Sequence, residues 1–301
     1  MMVESFEKTD ISEILLNYRR DRRFYYNLNK ILNTGLLSGT GKMLILPVDQ
    51  GFEHGPDASF SSNPVAYDPM YHFNMAVEGG FSAYVAPIGM LEMCPDHDTV
   101  PLILKINSSS VLFVDAPDQT ITATVEDACR LGCVGIGMTI YPGSPNFKSM
   151  IERLVPIISK AKRKGLVIVI WSYPRGAGLQ GVSETSEYII SYAAHIACLL
   201  GADIVKVKPP TVAYDGTSIG DDYGKLENSV RNIIRSCFNG KRLVLFSGGK
   251  IASDQDMYKQ IATLYRAGAS GSILGRNIFQ RKKSGALSLV NGIVDIYKNK
   301  K

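Results

Sequence analysis

The sequence predicts an α/β protein, a closed (β/α)8 TIM barrel that follows an extra N-terminal helical segment. Beyond residue 41, eight short apolar runs rich in Val, Ile and Leu alternate with longer amphipathic or polar segments. Runs of this kind are typical of parallel strands that are buried on both faces. A glycine ends several of the helical segments just before the next run, as connections from helix to strand commonly do. Eight repeats of this alternation indicate a parallel sheet that closes on itself.

The predicted elements divide the chain into a helical extension and a barrel. We expect residues 1–301 to form one domain, with the extension in 1–40 and the barrel in 41–301. The predicted strands are 43–48, 83–86, 102–106, 134–140, 166–171, 204–207, 243–246 and 272–274. The predicted helices include 10–35 (as one helix or two), 74–78, 122–131, 149–164, 183–200 and 258–267. A doubly wound open sheet is the alternative, but no Gly-x-Gly-x-x-Gly follows the first strand.

Composition and charge are those of an ordinary globular protein. Of the 301 residues 45% are hydrophobic, and the net charge of +5 comes from Lys and Arg spread along the chain, which disfavours nucleic-acid binding. No N-terminal signal segment is visible, and the apolar run 166–171 is too short to cross a membrane. The five cysteines are odd in number and lack Cys-x-x-Cys spacing, which favours free thiols in a reducing compartment and a cytoplasmic location.

A lysine inside the sixth predicted strand is the most informative residue. Lys206 interrupts an apolar run, where burial disfavours the ammonium form and lowers the pKa of the amine. The free amine attacks carbonyl carbons, and Lys208, on the same side of the strand, is expected to lower that pKa further. A salt bridge from Lys206 to an inward acid such as Asp49 is the alternative. Lys105, in the third strand, is a rival nucleophile that we rank lower because no second lysine neighbours it.

An acid and a set of aromatic residues follow two other strands, at the end where barrel enzymes carry their chemistry. Asp49 comes directly after the first strand and either places a carboxylate in the barrel mouth or caps a turn. Trp171, Tyr173 and Arg175 alternate at the end of the fifth strand, so their side chains point to one side. A tyrosine that exchanges a proton beside an arginine that holds an anion is a workable acid–base pair. An aromatic plug in the barrel is the alternative.

Two long connections and the histidines also bear on the prediction of a site. The connections 50–70 and 209–226 exceed ordinary loop lengths and are expected at the functional face. Glu53 and His54 follow the first strand, but the remaining histidines show no metal-ligand spacing, so metal catalysis is disfavoured. These histidines are His72, His97 and His195, the last of which is expected to be a packed side chain.

Glycines follow the seventh and eighth strands, where barrels often hold a phosphate group. The two segments contain Ser247, Gly248 and Gly249 after the seventh strand, and Gly275 and Arg276 after the eighth. Backbone N–H groups at such glycines approach phosphate oxygens closely, and an arginine adds a two-pronged charged donor. Tight turns without a ligand are the alternative.

Together these strand ends resemble the archaeal-type class I fructose-bisphosphate aldolases, a family also found in bacteria. The resemblance extends from about residue 42 to about residue 281. It is carried in order by Val-Asp-Gln-Gly-Phe-Glu-His-Gly-Pro, Trp-Ser-Tyr-Pro-Arg-Gly, Ala-Asp-Ile-Val-Lys-Val-Lys, Ser-Gly-Gly-Lys and Gly-Arg-Asn-Ile-Phe-Gln-Arg. Several motifs in one order are more specific than any single motif.

The resemblance implies a lyase that cleaves fructose 1,6-bisphosphate reversibly through a lysine Schiff base, without a metal or other cofactor. It assigns the Schiff base to Lys206, the proton shuttle to Tyr173 and an assisting role to Asp49. It also implies pocket positions and phosphate-binding positions, at Trp171, Arg175, Ser247, Gly249, Gly275 and Arg276, and a homo-oligomer.

The chain differs from the compact archaeal members in a longer N-terminal segment and a longer loop after Pro210. Because that loop flanks the site, the substrate preference is less well defined than the reaction type. The alternatives are a related lysine-dependent aldolase or acyl-transferring enzyme for another phosphorylated ketose, and a non-catalytic binder of a phosphorylated ligand.

Overall fold

The computed structural model describes residues 11–95, 99–110, 112, 116–249 and 253–299. Eight parallel strands form a closed barrel in which each strand pairs with its neighbours in the chain and the first pairs with the eighth. In chain order these barrel strands are Met43–Pro47, Ala83–Ala86, Leu102–Lys105, Gly135–Ile140, Val167–Ser172, Ile204–Val207, Leu243–Ser247 and Gly271–Ile273. The predicted (β/α)8 barrel is confirmed, and each observed strand begins and ends within one residue of its prediction.

Helices surround this barrel, and most of them lie where the sequence predicts them. The α-helices are Ile11–Leu16, Arg22–Leu32, Gln50–His54, Pro56–Phe60, Pro69–Glu78, Ile88–Leu91, Val125–Arg130, Phe147–Arg163, Glu187–Leu199, Tyr223–Ser236, Asp254–Arg266, Arg276–Phe279 and Lys283–Tyr297. The segment 50–70 therefore holds short helices in place of an extended loop. No helix within the described ranges is long and apolar enough to span a membrane.

Two long helices, Tyr223–Ser236 and Lys283–Tyr297, are absent from the sequence-based prediction. The first has a clear start, because the Asp222 side chain accepts a hydrogen bond from the backbone N–H of Lys225. Both helices bury apolar residues at helical spacing, so the pattern for them is present in the sequence.

The side chains inside the barrel form one apolar cluster, and the side chains between the strands and the surrounding helices form another. The members of the inner cluster alternate along the strands with residues that face the helices, as the two-residue period of a strand requires. The interior contains Met43, Ile45, Ala83, Val85, Ile103, Val167, Val169, Trp171, Ile204, Leu243, Leu245 and Ile273. The fourth strand is the exception, because Gly135 and Gly137 bring no side chain to the interior.

The N-terminal helix Arg22–Leu32 closes the amino-terminal end of the barrel. Its buried residues belong to the same cluster as the interior side chains. These residues are Phe24, Leu28, Ile31 and Leu32. Gly165, just before the fifth strand, lets the helix approach closely, because a Cβ there would lie 2.7 Å from the Cβ of Arg23. The helical extension is therefore the floor of the barrel, and the carboxyl ends of the strands form its mouth.

Polar contacts fix this floor around one buried carboxylate. Arg20 forms an ion pair with Asp203, with 3.1 Å between Nη1 and Oδ1, and its other nitrogen donates to the carbonyl of Leu166. Asp203 also accepts a hydrogen bond from the backbone N–H of Ile168 at 2.8 Å. The Tyr18 hydroxyl donates to the Asp203 carbonyl at 2.7 Å. The extension is thus attached to the strands by charge and hydrogen bonds as well as by apolar packing.

We predict that Phe24→Ala destabilises the protein because it removes apolar packing at the floor of the barrel. Phe24 is 0% exposed, and truncation of such a side chain leaves a cavity that lowers the free energy of unfolding by about 3–5 kcal/mol. Urea denaturation followed by circular dichroism measures this change. Tyr26→Ala, on the same helix but 67% exposed, is the matched control and should change the free energy of unfolding by no more than about 0.5 kcal/mol. Equal losses in the two variants would show that the helix does not seal the barrel.

Candidate active site

The Lys206 side chain is the centre of a cluster of polar groups at the barrel mouth. It extends from the sixth strand and is 5% exposed, so the ammonium form has little solvent to stabilise it. Its Nζ lies 5.2 Å from the centre of the Trp171 ring and 5.5 Å from the centre of the Tyr173 ring. It makes no hydrogen bond or ion pair to any residue that the structure describes. Lys206 therefore presents an unpaired nitrogen in a largely water-free site.

The surroundings of Lys206 favour its neutral form. Burial lowers the pKa of Lys206 from 10.5 to about 7, and the carboxylate of Asp49 only partly opposes this effect. Two cations, Lys105 and Arg276, lower the pKa further. The predicted depression is thus present, but Lys208, expected to assist it, instead forms an ion pair with Glu184.

Asp49 pairs with Lys105 and leaves Lys206 free. The distance between Lys105 Nζ and Asp49 Oδ2 is 3.2 Å, and the same Nζ donates to the carbonyl of Asn107 at 2.5 Å. Burial on its own would raise the pKa of Asp49, but the ammonium groups of Lys105 and Lys206 outweigh it and hold that pKa below 3.8. The salt bridge considered for Lys206 is therefore made by the rival lysine, and Asp49 is an ionised carboxylate that does not cap the following helix.

Trp171 and Tyr173 line the site from the end of the fifth strand, as the alternation predicts. Trp171 is 1% exposed and packs in the barrel interior, and Tyr173 packs against the same cluster. The indole fits because the neighbouring strand has Gly137, where a Cβ would lie 2.4 Å from Cζ3 of Trp171. Lys105 Nζ lies 5.8 Å from the centre of the same indole ring. The two lysines of the site thus share one aromatic neighbour.

The Tyr173 hydroxyl is held in its protonated form. Burial raises the pKa of Tyr173 well above 10, and the negative charge of Asp49 adds to the effect. Lys208 Nζ lies 5.7 Å from the Tyr173 ring and pairs with Glu184 from the preceding loop. In the free site Tyr173 is therefore a proton donor.

Arg175 belongs to a second polar group beside the lysines. Its Nη1 lies 3.1 Å from Glu53 Oε1, and its guanidinium lies 4.9 Å from the centre of the Tyr141 ring. The Tyr141 hydroxyl accepts a hydrogen bond from the Gln119 side chain at 2.7 Å. Glu53, considered above as a metal ligand, is thus the partner of an arginine.

The glycine segments after the seventh and eighth strands lie side by side. The side-chain amide of Asn277 donates to the carbonyl of Gly249 at 3.3 Å and so links them. A Cβ at Gly275 would lie 2.8 Å from the backbone carbonyl of Pro47, so this position requires glycine, and one at Gly248 would lie 2.5 Å from the Asn277 amide, which would have to move. Arg276 begins a short helix directly after Gly275 and acts on the pKa of Lys206. Ser247, at the end of its strand, completes the group.

The histidines have other partners in the structure. His72 is buried, with Nε2 2.7 Å from the carbonyl of Ala66, and Nδ1 of His195 lies 2.8 Å from the carbonyl of Ser236. Among the described residues, no three His, Cys, Asp or Glu side chains are grouped as a metal site. His97 and Lys250 lie outside the described residues.

Three residues of the site are not predicted from the sequence. Glu184 pairs with Lys208 from a loop, where nothing in the local pattern distinguishes it. Tyr141 is one residue beyond the fourth strand and stacks with Arg175. Gly137 leaves a signal, because a glycine inside an apolar strand indicates close approach of another group.

Comparison with known proteins identifies the family. Residues 43–281 match the family model of the DeoC/LacD family aldolases. The chain is 39% identical over 263 residues to the fructose-bisphosphate aldolase class 1 of Thermoproteus tenax, an alignment that covers 87% of this chain and 92% of the relative. It is 34% identical over 307 residues to the probable fructose-bisphosphate aldolase class 1 of Chlamydia muridarum, covering 95% and 88% respectively.

A solved structure agrees with these relatives. It is an archaeal fructose-1,6-bisphosphate aldolase with its catalytic Lys covalently bound to the carbinolamine intermediate of the substrate. It is 36% identical to this chain, with a TM-score of 0.75 and coverage of 85% of this chain and 94% of that one. The chain therefore belongs to the DeoC/LacD family of aldolases and, within it, to the class 1 fructose-bisphosphate aldolases.

Proposed function

We propose that this chain catalyses the reversible cleavage of fructose 1,6-bisphosphate to dihydroxyacetone phosphate and glyceraldehyde 3-phosphate. The observation that carries the proposal is the buried and unpaired amine of Lys206, with its pKa lowered to about 7, beside Tyr173 and Asp49. A neutral amine of this kind is the nucleophile that a Schiff-base aldolase requires. The established structure of a related aldolase with a lysine carbinolamine supports the same chemistry.

The first stage of the proposed reaction joins Lys206 to the substrate. The nitrogen lone pair attacks the C2 ketone carbon and forms a carbinolamine, which then loses its hydroxyl group as water to give an iminium ion. Asp49, ionised beside Lys105, accepts and returns the protons that the carbinolamine exchanges. The iminium withdraws electrons from the neighbouring carbon, and the bond between C3 and C4 is the one that breaks.

The second stage moves one proton. The C4 hydroxyl loses its proton as the bond breaks and the aldehyde leaves, and the resulting enamine carbon gains a proton before the imine is hydrolysed. We assign this transfer to Tyr173, whose ring centre lies 5.5 Å from Lys206 Nζ. Its pKa is raised in the free site, but a cationic iminium at Lys206 lowers it again, because positive charge favours the phenolate. Formation of the iminium thus prepares Tyr173 for the transfer.

The remaining residues are proposed to bind the substrate. Ser247, Gly248, Gly249, Gly275 and Arg276 form the proposed phosphate site, with backbone N–H groups, a hydroxyl and a guanidinium on adjacent strand ends. A phosphate held there fixes the distance from the ketone to Lys206. Trp171 and Arg175 are proposed to form the wall of the pocket.

We further propose that the enzyme acts as a single-domain, homo-oligomeric protein in the cytoplasm, without a metal or other cofactor. Its cysteines are free thiols, four of them buried, which suits a reducing compartment. Activity that resists EDTA, and a molecular mass by light scattering that exceeds 32.9 kDa, would support the proposal. A panel of phosphorylated ketoses and acyl acceptors separates it from the related lysine enzymes.

We predict that Lys206→Met abolishes covalent capture of substrate. Wild-type protein reduced with borohydride in the presence of dihydroxyacetone phosphate should gain one adduct, which peptide mass spectrometry places on residue 206. The variant should gain none, because the other two lysines that the structure describes at the mouth, Lys105 and Lys208, are each held in an ion pair. Lys42→Met is the matched control, since the Lys42 pKa is also lowered by burial, to about 8, but this residue precedes the first strand at the opposite end of the barrel. An adduct in Lys206→Met would reassign the nucleophile.

We predict that Tyr173→Phe separates Schiff-base formation from cleavage. The variant should still be trapped by borohydride, while kcat for fructose 1,6-bisphosphate falls about 10²–10⁴-fold, the usual loss for a positioned acid or base. Tyr214→Phe, at a residue that is 72% exposed, serves as the control. A fall in kcat below threefold would move the proton transfer to another group.

We predict an acid limb near pH 7 in the pH profile of kcat/KM. Only the neutral amine attacks the ketone, and the pKa of Lys206 is about 7, so activity should fall about tenfold per pH unit below that value. The rate of borohydride trapping should follow the same curve. A limb near pH 10 would mean that Lys206 retains an ordinary lysine pKa.

A further inference from the structure

Lys105 is a buried lysine that the proposed mechanism does not use. It extends from the third strand, is 2% exposed and lies in the same site as Lys206. A buried ammonium is strongly unfavourable unless a carboxylate and further acceptors compensate it. Lys105 has both, in the Asp49 carboxylate and the Asn107 carbonyl. Because both partners hold the Lys105 nitrogen, it is not an unpaired amine like that of Lys206.

Asp49 is the carboxylate for which the two lysines compete. It acts on the pKa of Lys206, so it lies within electrostatic range of that amine, yet its ion pair is with Lys105. Had the carboxylate paired with Lys206, it would stabilise the ammonium form and remove the lone pair that attacks the ketone. Burial is the main cause of the low pKa of Lys206, and the choice of partner for Asp49 decides how far a carboxylate opposes it.

We propose that Lys105 is a positioning residue whose buried ammonium captures the Asp49 carboxylate and thereby keeps the Lys206 amine unpaired. This inference rests on the proposed function. Lys105 does not touch the reacting atoms. It acts through Asp49, which it holds ionised and in place, and through its own positive charge, which disfavours a second ammonium at Lys206.

Asn107 makes this arrangement rigid. Its side chain joins the segment just after the third strand to the fourth strand, because the Asn107 amide donates to the Thr139 carbonyl and accepts from the Thr139 N–H, each at 2.8 Å. The backbone carbonyl that receives Lys105 Nζ is therefore fixed to the barrel. Lys105 has one stable position for its ammonium, and this position is next to Asp49.

Other charges around Lys206 do not duplicate this role. In the part of the chain that the structure describes, the charged and titratable groups around Lys206 are Asp49, Glu53, Lys105, Tyr173 and Arg276, and Lys208 lies beside Tyr173. Of the cations, Lys208 pairs with Glu184, and Arg276 belongs to the proposed phosphate site. Glu53 pairs with Arg175. Among these groups Lys105 alone pairs with Asp49.

The test compares wild type, Lys105→Met, Asp49→Asn and the double variant, with the complete pH profile of kcat/KM as the main readout. Loss of the positive charge and release of Asp49 toward Lys206 both favour the ammonium, so the acid limb of Lys105→Met should move to higher pH by about one unit or more. In the Asp49→Asn background, Lys105→Met should shift the acid limb by a smaller amount, because no carboxylate is released. Lys105→Arg, which retains the charge, should keep the acid limb near that of the wild type.

The location of the borohydride adduct separates this inference from the function on which it rests. An adduct of dihydroxyacetone phosphate on residue 206 in both wild type and Lys105→Met is the expected result. An adduct on residue 105 in the wild type, or none, would refute the proposed nucleophile itself. With the adduct on residue 206, an unchanged acid limb in Lys105→Met, or equal moves in both backgrounds, would overturn the positioning role alone.

A folding defect does not prevent the test. If Lys105→Met fails to fold, Lys105→Gln replaces it, since Gln donates a hydrogen bond to Asp49 without the charge, and the acid limb should again move upward. Lys42→Met, at a half-buried lysine at the opposite end of the barrel, should leave the acid limb unchanged.

Discussion

The ion pair between Asp49 and Lys105 is the interaction on which the chemistry of this barrel depends. Two buried lysines, Lys105 and Lys206, lie near the single carboxylate of Asp49, and a site so shielded from solvent stabilises only one ammonium well. Burial is the main reason that Lys206 loses its proton easily, and Asp49 opposes this effect only in part, because its carboxylate is paired with Lys105. Two chemically identical side chains therefore differ in role: Lys105 is held by Asp49, and Lys206 provides the reactive nitrogen.

Structural and chemical demands are separated along the barrel axis. The floor is apolar and is sealed by the N-terminal helix, with Asp203 and Arg20 as its main charged contact. The mouth carries the polar residues, at the carboxyl ends of strands that pair in a defined register. Register matters because it sets Lys206 opposite Trp171 and Trp171 opposite Thr139 on adjacent strands. Burial of charged residues at the mouth lowers the free energy of unfolding, and the apolar packing of the floor offsets that loss.

Much of this architecture is readable from the sequence, for physical reasons. The strands are apolar runs that are too short for a helix and several follow a glycine that ends a helical segment, so all eight are predicted to within one residue at each end. Alternation places Trp171, Tyr173 and Lys206 on the inner side, and the structure brings them together. The pairing of Asp49 with Lys105 is not readable, because it depends on how three separate strands are staggered. Glu184 is equally hidden, since a loop residue has no periodicity that indicates its direction.

The contact between Gly137 and Trp171 restricts how this site can change over evolution. One strand has a glycine at residue 137 where its neighbour places the Trp171 ring, so the two positions share a single fixed volume. A methyl group at residue 137 fits only if residue 171 becomes smaller, and a smaller residue 171 leaves a gap beneath both lysines. We expect the two positions to covary in relatives, and any lineage that exchanges their sizes to acquire a pocket of different shape and substrate range.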